Sequence, residues 1–399
     1  MMRVEPFSIR IPDEDLADLR ARLERTRWPD EAEDAGWDYG TNLAYLRQLV
    51  AYWREGFDWR AVERRLNSFS HFRAEIGGRW IHFIREPGVG PHPMPLVVTH
   101  GWPSSVAEML EVIRPLADPG RFGGDPDDAF DVVVPSLPGF GFSDRWTSRG
   151  AAPTADLWAA LMSGLGYERF GAQGGDVGAG ATVGLGRFHA DRMIGMHISS
   201  DLPGPKPPPA PDELTAAERE YLARLDRWEL IEGAYGHQQR TRPQTLGYGL
   251  NDSPAGLAGW IVEKFRAWSD CGGDVDRRFS NDDLLTAVSM YWFTQTINSS
   301  IRNYYERAHD STRRPLRAGE RVPTPLGVAM FPGERDLIVP REYAERNYDI
   351  RRWTDMPRGG HFAALEEPQL LIDDVRAFFR EFRQPAPMVG AREQARATT

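Results

Sequence analysis

The apolar residues change their period more than once along this chain. Leu16, Leu19 and Leu23 recur at helical spacing after Pro12-Asp13, and Leu43, Leu46, Leu49, Val50 and Trp53 do so again, predicting two early helices. His71–Ile76 and Arg79–Ile84 are short strand-like runs joined by Gly77-Gly78, a two-residue hairpin signal. From Pro95 the pattern becomes short, continuous apolar runs ending in turn residues: Pro95–Thr99, Asp131–Pro135, Phe170–Gln173, Met193–Ser199 and Gly327–Phe331. Helical stretches separate most of them, the signature of buried parallel strands in an α/β sheet. After Ser200 the alternation stops. A proline-dense segment, Pro203 to Pro211, leads into a predicted helix over Asp212 to Ile231 with a capping box at Thr215-Ala216-Ala217-Glu218. Helical, aromatic-rich sequence then runs to about residue 310, and reads as a cap inserted between two strands. The predicted organisation is an N-terminal extension of helices and a hairpin (1–90), an α/β core (91–200 and 311–383), a helical cap (201–310) and a flexible polar tail (384–399).

Composition narrows the class. The 399 residues carry 48 basic and 58 acidic side chains, a net charge of −10, which argues against a nucleic-acid binder. Only Lys206 and Lys264 of the basic residues are lysines. The single cysteine, Cys271, excludes an intrachain disulfide and a multi-cysteine metal site. There is no apolar leader and no apolar run long enough to span a bilayer, so a cytoplasmic protein is expected, with no membrane partner.

Three motifs could carry chemistry. Gln173-Gly174-Gly175-Asp176-Val177-Gly178-Ala179-Gly180 takes an apolar strand through a small-residue turn into a helix, the layout of a nucleophile elbow with Asp176 where serine is usual. A loop turn is the alternative. A dinucleotide-binding reading fails, because the third glycine position holds Val183. His100-Gly101-Trp102-Pro103 follows a strand and could aim backbone N–H groups at an oxyanion, Val177 supplying another. Late in the chain, Arg358-Gly359-Gly360-His361-Phe362 offers a histidine, and Phe331-Pro332-Gly333-Glu334-Arg335-Asp336 offers two acids before it. Nucleophile, acid and histidine then follow the α/β-hydrolase order.

These residues resemble the α/β-hydrolase-fold epoxide hydrolases, in the microsomal-type branch with an N-terminal extension. The resemblance runs from about Pro6 to Phe382. Besides the motifs above it rests on Arg27-Trp28-Pro29, Pro138-Gly139-Phe140-Gly141-Phe142-Ser143, Thr241-Arg242-Pro243-Gln244-Thr245 and Leu250-Asn251-Asp252-Ser253-Pro254. It implies a mostly parallel central sheet and cofactor-free opening of an epoxide to a vicinal diol. Asp176 would be the nucleophile, His361 the base that activates water, and Trp102 and Val177 the oxyanion-hole donors. Two cap tyrosines, Tyr235 and Tyr304, would protonate the epoxide oxygen. Glu334 or Asp336 would orient His361, with strand-to-acid spacing preferring Glu334. Two departures stand out: many members carry Trp where this chain has Val177, and membrane-bound members carry an N-terminal anchor absent here. Cap aromatics including Trp228, Tyr248, Trp260, Trp268, Tyr291, Trp292 and Phe293 suit an apolar or aryl epoxide, or pack the cap itself. Natural-product assembly and detoxification are both open roles, as is a homodimer. Carbon–halogen cleavage is disfavoured by Val177, whose side chain cannot bind halide. An esterase is disfavoured by the lack of a Gly-x-Ser-x-Gly elbow, and a non-catalytic binding protein on the same scaffold is the remaining alternative.

Overall fold

A computed structural model describes residues 2–147, 153–311, 314–334 and 336–383. The tail expected over 384–399 lies outside the described residues. Nine strands form one sheet: β1 (Val4–Pro6), β2 (His71–Ile76), β3 (Arg79–Glu86), β4 (Met94–Thr99), β5 (Phe130–Pro135), β6 (Phe170–Gly174), β7 (Met193–Ile198), β8 (Val322–Met330) and β9 (Tyr348–Asp355). Their order is β1-β2-β3-β5-β4-β6-β7-β8-β9. The first three join antiparallel, and every pairing from β5 through β9 is parallel. The hairpin expected in the N-terminal extension is thus the antiparallel wing of the central sheet.

The central strands are largely apolar because both faces are covered. Val97 and Val133 point into one core with Trp158, Leu161 and Leu185. Their neighbours Leu96, Val98, Val132 and Val134 point into the other, with Ile113, Leu116, Val375 and Phe378. Strand side chains alternate between faces, so only a doubly covered strand needs an unbroken apolar run. Each such buried side chain contributes about 1.5–3 kcal/mol.

Between β7 and β8 the described residues hold helices and no strand. The helix expected from Asp212 begins at Ala216, where Thr215 and Glu218 close the capping box: the Thr215 side chain accepts from the Glu218 N–H at 3.2 Å, and Glu218 accepts from the Thr215 N–H at 2.8 Å. The proline-dense stretch before it cannot join that helix and ends in a short turn, Pro211–Glu213. The N-terminal helices Asp13–Glu24 and Leu43–Glu55 clamp these helices from outside. Leu19, Leu23, Leu49 and Trp53 share a core with Leu257, Ala258 and Ile261. Thr41 Oγ1 donates to the Gly259 carbonyl at 2.6 Å, and the Tyr45 hydroxyl donates to Asp276 at 2.9 Å. No described helix is long and apolar enough to cross a membrane.

Candidate active site

Asp176 sits between the end of β6 and the helix Val177–Phe188, with φ 53° and ψ −122°. That backbone is unusual for a residue with a side chain, and close packing around it holds it in place. A Cβ on Gly178 would lie 2.1 Å from the Thr99 carbonyl oxygen, and one on Gly101 would lie 2.5 Å from the Asp176 Cβ. Only glycines let the end of β4, the His100-Gly101 turn and the new helix converge here. The Asp176 N–H donates to Ser200 Oγ at 3.1 Å, and the Trp102 N–H donates to Asp176 Oδ1 at 2.8 Å. Val177 opens the helix, so its N–H has no acceptor within the helix, and the helix's positive end lies at Asp176.

The loops after β8 and β9 bring in the other groups. The Gly333 N–H donates to the Gly359 carbonyl at 2.8 Å, and the His361 N–H donates to the Trp268 carbonyl at 3.0 Å, fixing both loops against the cap. His361 Nδ1 lies 2.5 Å from Glu334 Oε1, while its Nε2 lies 3.8 Å from Asp176 Oδ2. Of the two acids after β8, Glu334 is buried on the imidazole and Asp336 is exposed. The short turn Pro332–Glu334 folds Glu334 inward onto the imidazole. Burial works against charge on His361, but Glu334, Asp176 and Asp201 outweigh it and lift its pKa to about 10.

Tyr235 stands on the helix Ala234–Thr241 and Tyr304 on Ile297–His309. Their rings lie 6.1 Å apart at 75°, and both rest on Trp102: Tyr235 stacks on it at 5.3 Å and 7°, Tyr304 meets it edge-on at 5.9 Å. The Pro138-Gly139 turn sets the helix that carries Tyr304. Asn303 Nδ2 donates to the Pro138 carbonyl at 2.9 Å, and Ser299 Oγ donates to the Gly139 carbonyl at 2.6 Å. Burial, with the nearby Asp176 charge, pushes both phenols well above their usual range, so both keep their protons at neutral pH. Tyr305 is the next residue on the same helix and stacks instead on His309 at 3.9 Å. Trp268 completes the aromatic wall, 5.0 Å from both Tyr235 and His361, whereas Tyr248 is 71% exposed and belongs to the cap's surface.

Three groups near these residues have no motif in the sequence. Lys264 Nζ lies 4.9 Å over the Tyr235 ring and pairs with Glu263 at 2.6 Å. Glu108, buried on the turn after the His100 motif, faces Asp176 and His361, and burial pushes its pKa up to about 7. It helps line a small pocket of about 20 Å³, together with Ser104, Gln173, Ser199 and His361, room for about one water. Asp201 follows β7 with a positive φ of 51°, and one donor atom each of Asp201, Glu334 and His361 lie within 4.8 Å of one another. Two carboxyls and an imidazole could hold a divalent cation, but the Nδ1 of His361 is already engaged by Glu334.

A carboxylate on a strand-to-helix elbow near two phenols agrees with what the chain is similar to. Residues 4–109 match the family model described as epoxide hydrolase N terminus, and residues 94–229 match the one for the alpha/beta hydrolase fold. Epoxide hydrolase 1 of Sus scrofa is 35% identical over 405 residues, covering 94% of this chain and 88% of that protein. The solved structure of Aspergillus niger epoxide hydrolase superposes with a TM-score of 0.82 at 31% identity, over 96% of this chain and 97% of that one. The crystal structure of juvenile hormone epoxide hydrolase from the silkworm Bombyx mori gives 0.81 at 29% identity, over 96% and 95%. With relatives of this similarity over nearly its whole length, the chain belongs to the epoxide hydrolases of the α/β-hydrolase fold.

Proposed function

We propose that the protein opens an apolar or aryl epoxide to a vicinal diol through a covalent ester on Asp176. The observation that carries this reading is the setting of Asp176: one carboxylate oxygen on the Trp102 N–H at 2.8 Å, the other 3.8 Å from His361, with the Tyr235 and Tyr304 phenols near enough to feel its charge. An epoxide needs attack at carbon and protonation at oxygen together, because an unassisted alkoxide leaves poorly. A carboxylate attacks without prior deprotonation. Tyr235 and Tyr304 keep their protons until the ring oxygen demands one, which suits a pair of acids. The resulting ester carries its carbonyl oxygen at the Trp102 and Val177 N–H groups. His361, oriented by Glu334, then takes a proton from water as that water attacks the ester carbon. Donors placed this way typically contribute about a hundred- to a thousandfold in rate each. Asp336, exposed, has no part in this scheme, and the cavity beside Glu108 and Gln173 is a place to hold the attacking water.

The substrate class follows from the walls. Trp102, Trp268, Tyr235 and Tyr304 present ring faces and edges around the carboxylate, a lining suited to apolar or aromatic groups on the epoxide. A single turnover of an aryl epoxide in oxygen-18 water tests the mechanism. The first diol released is expected to carry no label, its new oxygen coming from Asp176, with label found afterwards in the Asp176 side chain. Label in the first diol would mean direct attack by water and would overturn the covalent step.

A further inference from the structure

We propose that Glu366 and Asp270 form a clasp that positions His361 for the hydrolytic half of the reaction: the loop carrying His361 holds the cap's backbone through Glu366, and the cap holds that loop's backbone through Asp270. The inference rests on the covalent reading above. Asp270 lies just past the cap helix Pro254–Trp268, and Glu366 ends the short helix Ala363–Glu366 that follows His361. The Asp270 N–H donates to Glu366 Oε2 at 2.8 Å, and the Gly359 N–H donates to Asp270 Oδ2 at 3.0 Å. Each side chain thus takes a backbone N–H from the other segment. The bond from the His361 N–H to the Trp268 carbonyl joins the same two segments. A Cβ on Gly360 would lie 2.7 Å from that carbonyl oxygen, so they meet with no room for a side chain between them.

A purely local role accounts for half of Glu366. Its Oε1 accepts from the Phe362 N–H at 3.0 Å, four residues back, which closes the turn after His361. One acceptor oxygen is enough for that. The second oxygen adds nothing to the turn and is committed to the cap. Burial pushes the carboxyl up to about 7, against the pull of its two N–H partners, His361 and Arg278, while Glu108 faces it as an acid from the turn Val106–Met109. Above that pH it is ionised, and both oxygens accept. Asp270 is braced in turn by Arg278, which donates from Nε to its carbonyl at 2.7 Å and from Nη2 to Oδ2 at 3.0 Å.

The cap helix is anchored without the clasp, because it shares a core with the N-terminal helices and takes the Thr41 hydroxyl on its Gly259 carbonyl. Opening the clasp therefore shifts the loop of His361 and leaves the wall of Trp102, Tyr235 and Trp268 in place. The two chemical steps then respond differently. Alkylation of Asp176 uses the phenols and not the imidazole. Attack of water on the ester uses His361, and a misplacement of about 1 Å in such a group can cost up to about a hundredfold in rate.

The test is rapid-quench and steady-state kinetics with styrene oxide at pH 8 on the full chain carrying Glu366→Gln, Asp270→Ala or both. Glutamine has one acceptor oxygen for two N–H groups. Alanine removes the opposite grip at a side chain that is 37% exposed, so this variant stands even where Glu366→Gln fails to fold. Each single variant is expected to form the Asp176 ester and keep kcat/KM near the parent value, while ester hydrolysis and kcat fall about tenfold and KM falls with them. General damage to the site would lower kcat/KM as well. Because both side chains serve one contact, the double variant is expected to hydrolyse the ester no more slowly than the slower single variant. Ester hydrolysis at the parent rate in either single variant, a fall in kcat/KM matching that in kcat, or multiplied losses in the double variant would each overturn the clasp. Absence of any ester in the parent enzyme, by contrast, overturns the covalent reading itself.

Discussion

Asp176→Asn is expected to lower epoxide turnover by about 10⁴-fold or more, the usual scale for removing a covalent nucleophile. The substitution is chosen to leave everything else in place. Asparagine is among the few residues that tolerate the positive φ at this turn, whereas alanine there would add roughly 1–2 kcal/mol of backbone strain. The amide oxygen can still accept the Trp102 N–H, so the variant loses the anionic oxygen and little more. Steady-state hydrolysis of an aryl epoxide, with thermal unfolding as the control for folding, measures the effect. Turnover within tenfold of the parent would place the nucleophile elsewhere.

His361→Gln should separate the two halves of the reaction. Alkylation does not need a base, so the ester still forms; hydrolysis does, so it stalls, with turnover falling about 10³-fold. Intact protein mixed with epoxide is then expected to gain one epoxide mass, on a peptide containing Asp176. No adduct with any reactive epoxide would sink the assignment of His361 as the hydrolytic base. The charge around His361 adds a directional test. In the free site burial opposes its protonation, but the surrounding carboxyls win and raise its pKa to about 10. Esterification removes the Asp176 charge, so the imidazole of the intermediate gives up its proton at lower pH. Ester hydrolysis in the parent should therefore rise with pH, with its midpoint below that value.

What could be read from the sequence follows from how strongly each feature is constrained. β4 through β8 are legible because strands covered on both faces need unbroken apolar runs. β9, Tyr348-Asp349-Ile350-Arg351-Arg352-Trp353-Thr354-Asp355, pairs only with β8 at the sheet edge, and its polar side chains hide it. β1 has three residues and owes its conformation to pairing with β2. Asp176 and His361 stand in motifs whose glycines are required by backbone approach, so local sequence marks them. Tyr235 and Tyr304 carry no local signal; they meet on Trp102 only because the helices Ala234–Thr241 and Ile297–His309, distant in sequence, pack together, and family resemblance alone points to them. Strand-to-acid spacing prefers Glu334 over Asp336 but does not fix the choice, since the outcome depends on where a three-residue turn bends the chain. Asp201, Glu108 and Lys264 look like ordinary charged residues until the fold gathers them.

The hydrogen bond from the Trp102 N–H makes the two oxygens of Asp176 inequivalent. Oδ1 is held by the backbone, while Oδ2 is the one directed at His361. If Oδ2 attacks, it leaves with the diol, and the oxygen that replaces it arrives from the His361 side into the same place. Oδ1 is then never transferred. Over many cycles in heavy-oxygen water, each protein molecule would surrender one of its original carboxylate oxygens and retain the other as a permanent spectator. Two surrendered oxygens would mean that the side chain swivels between cycles. The isotope count thus reads out, atom by atom, how firmly one backbone amide grips the nucleophile.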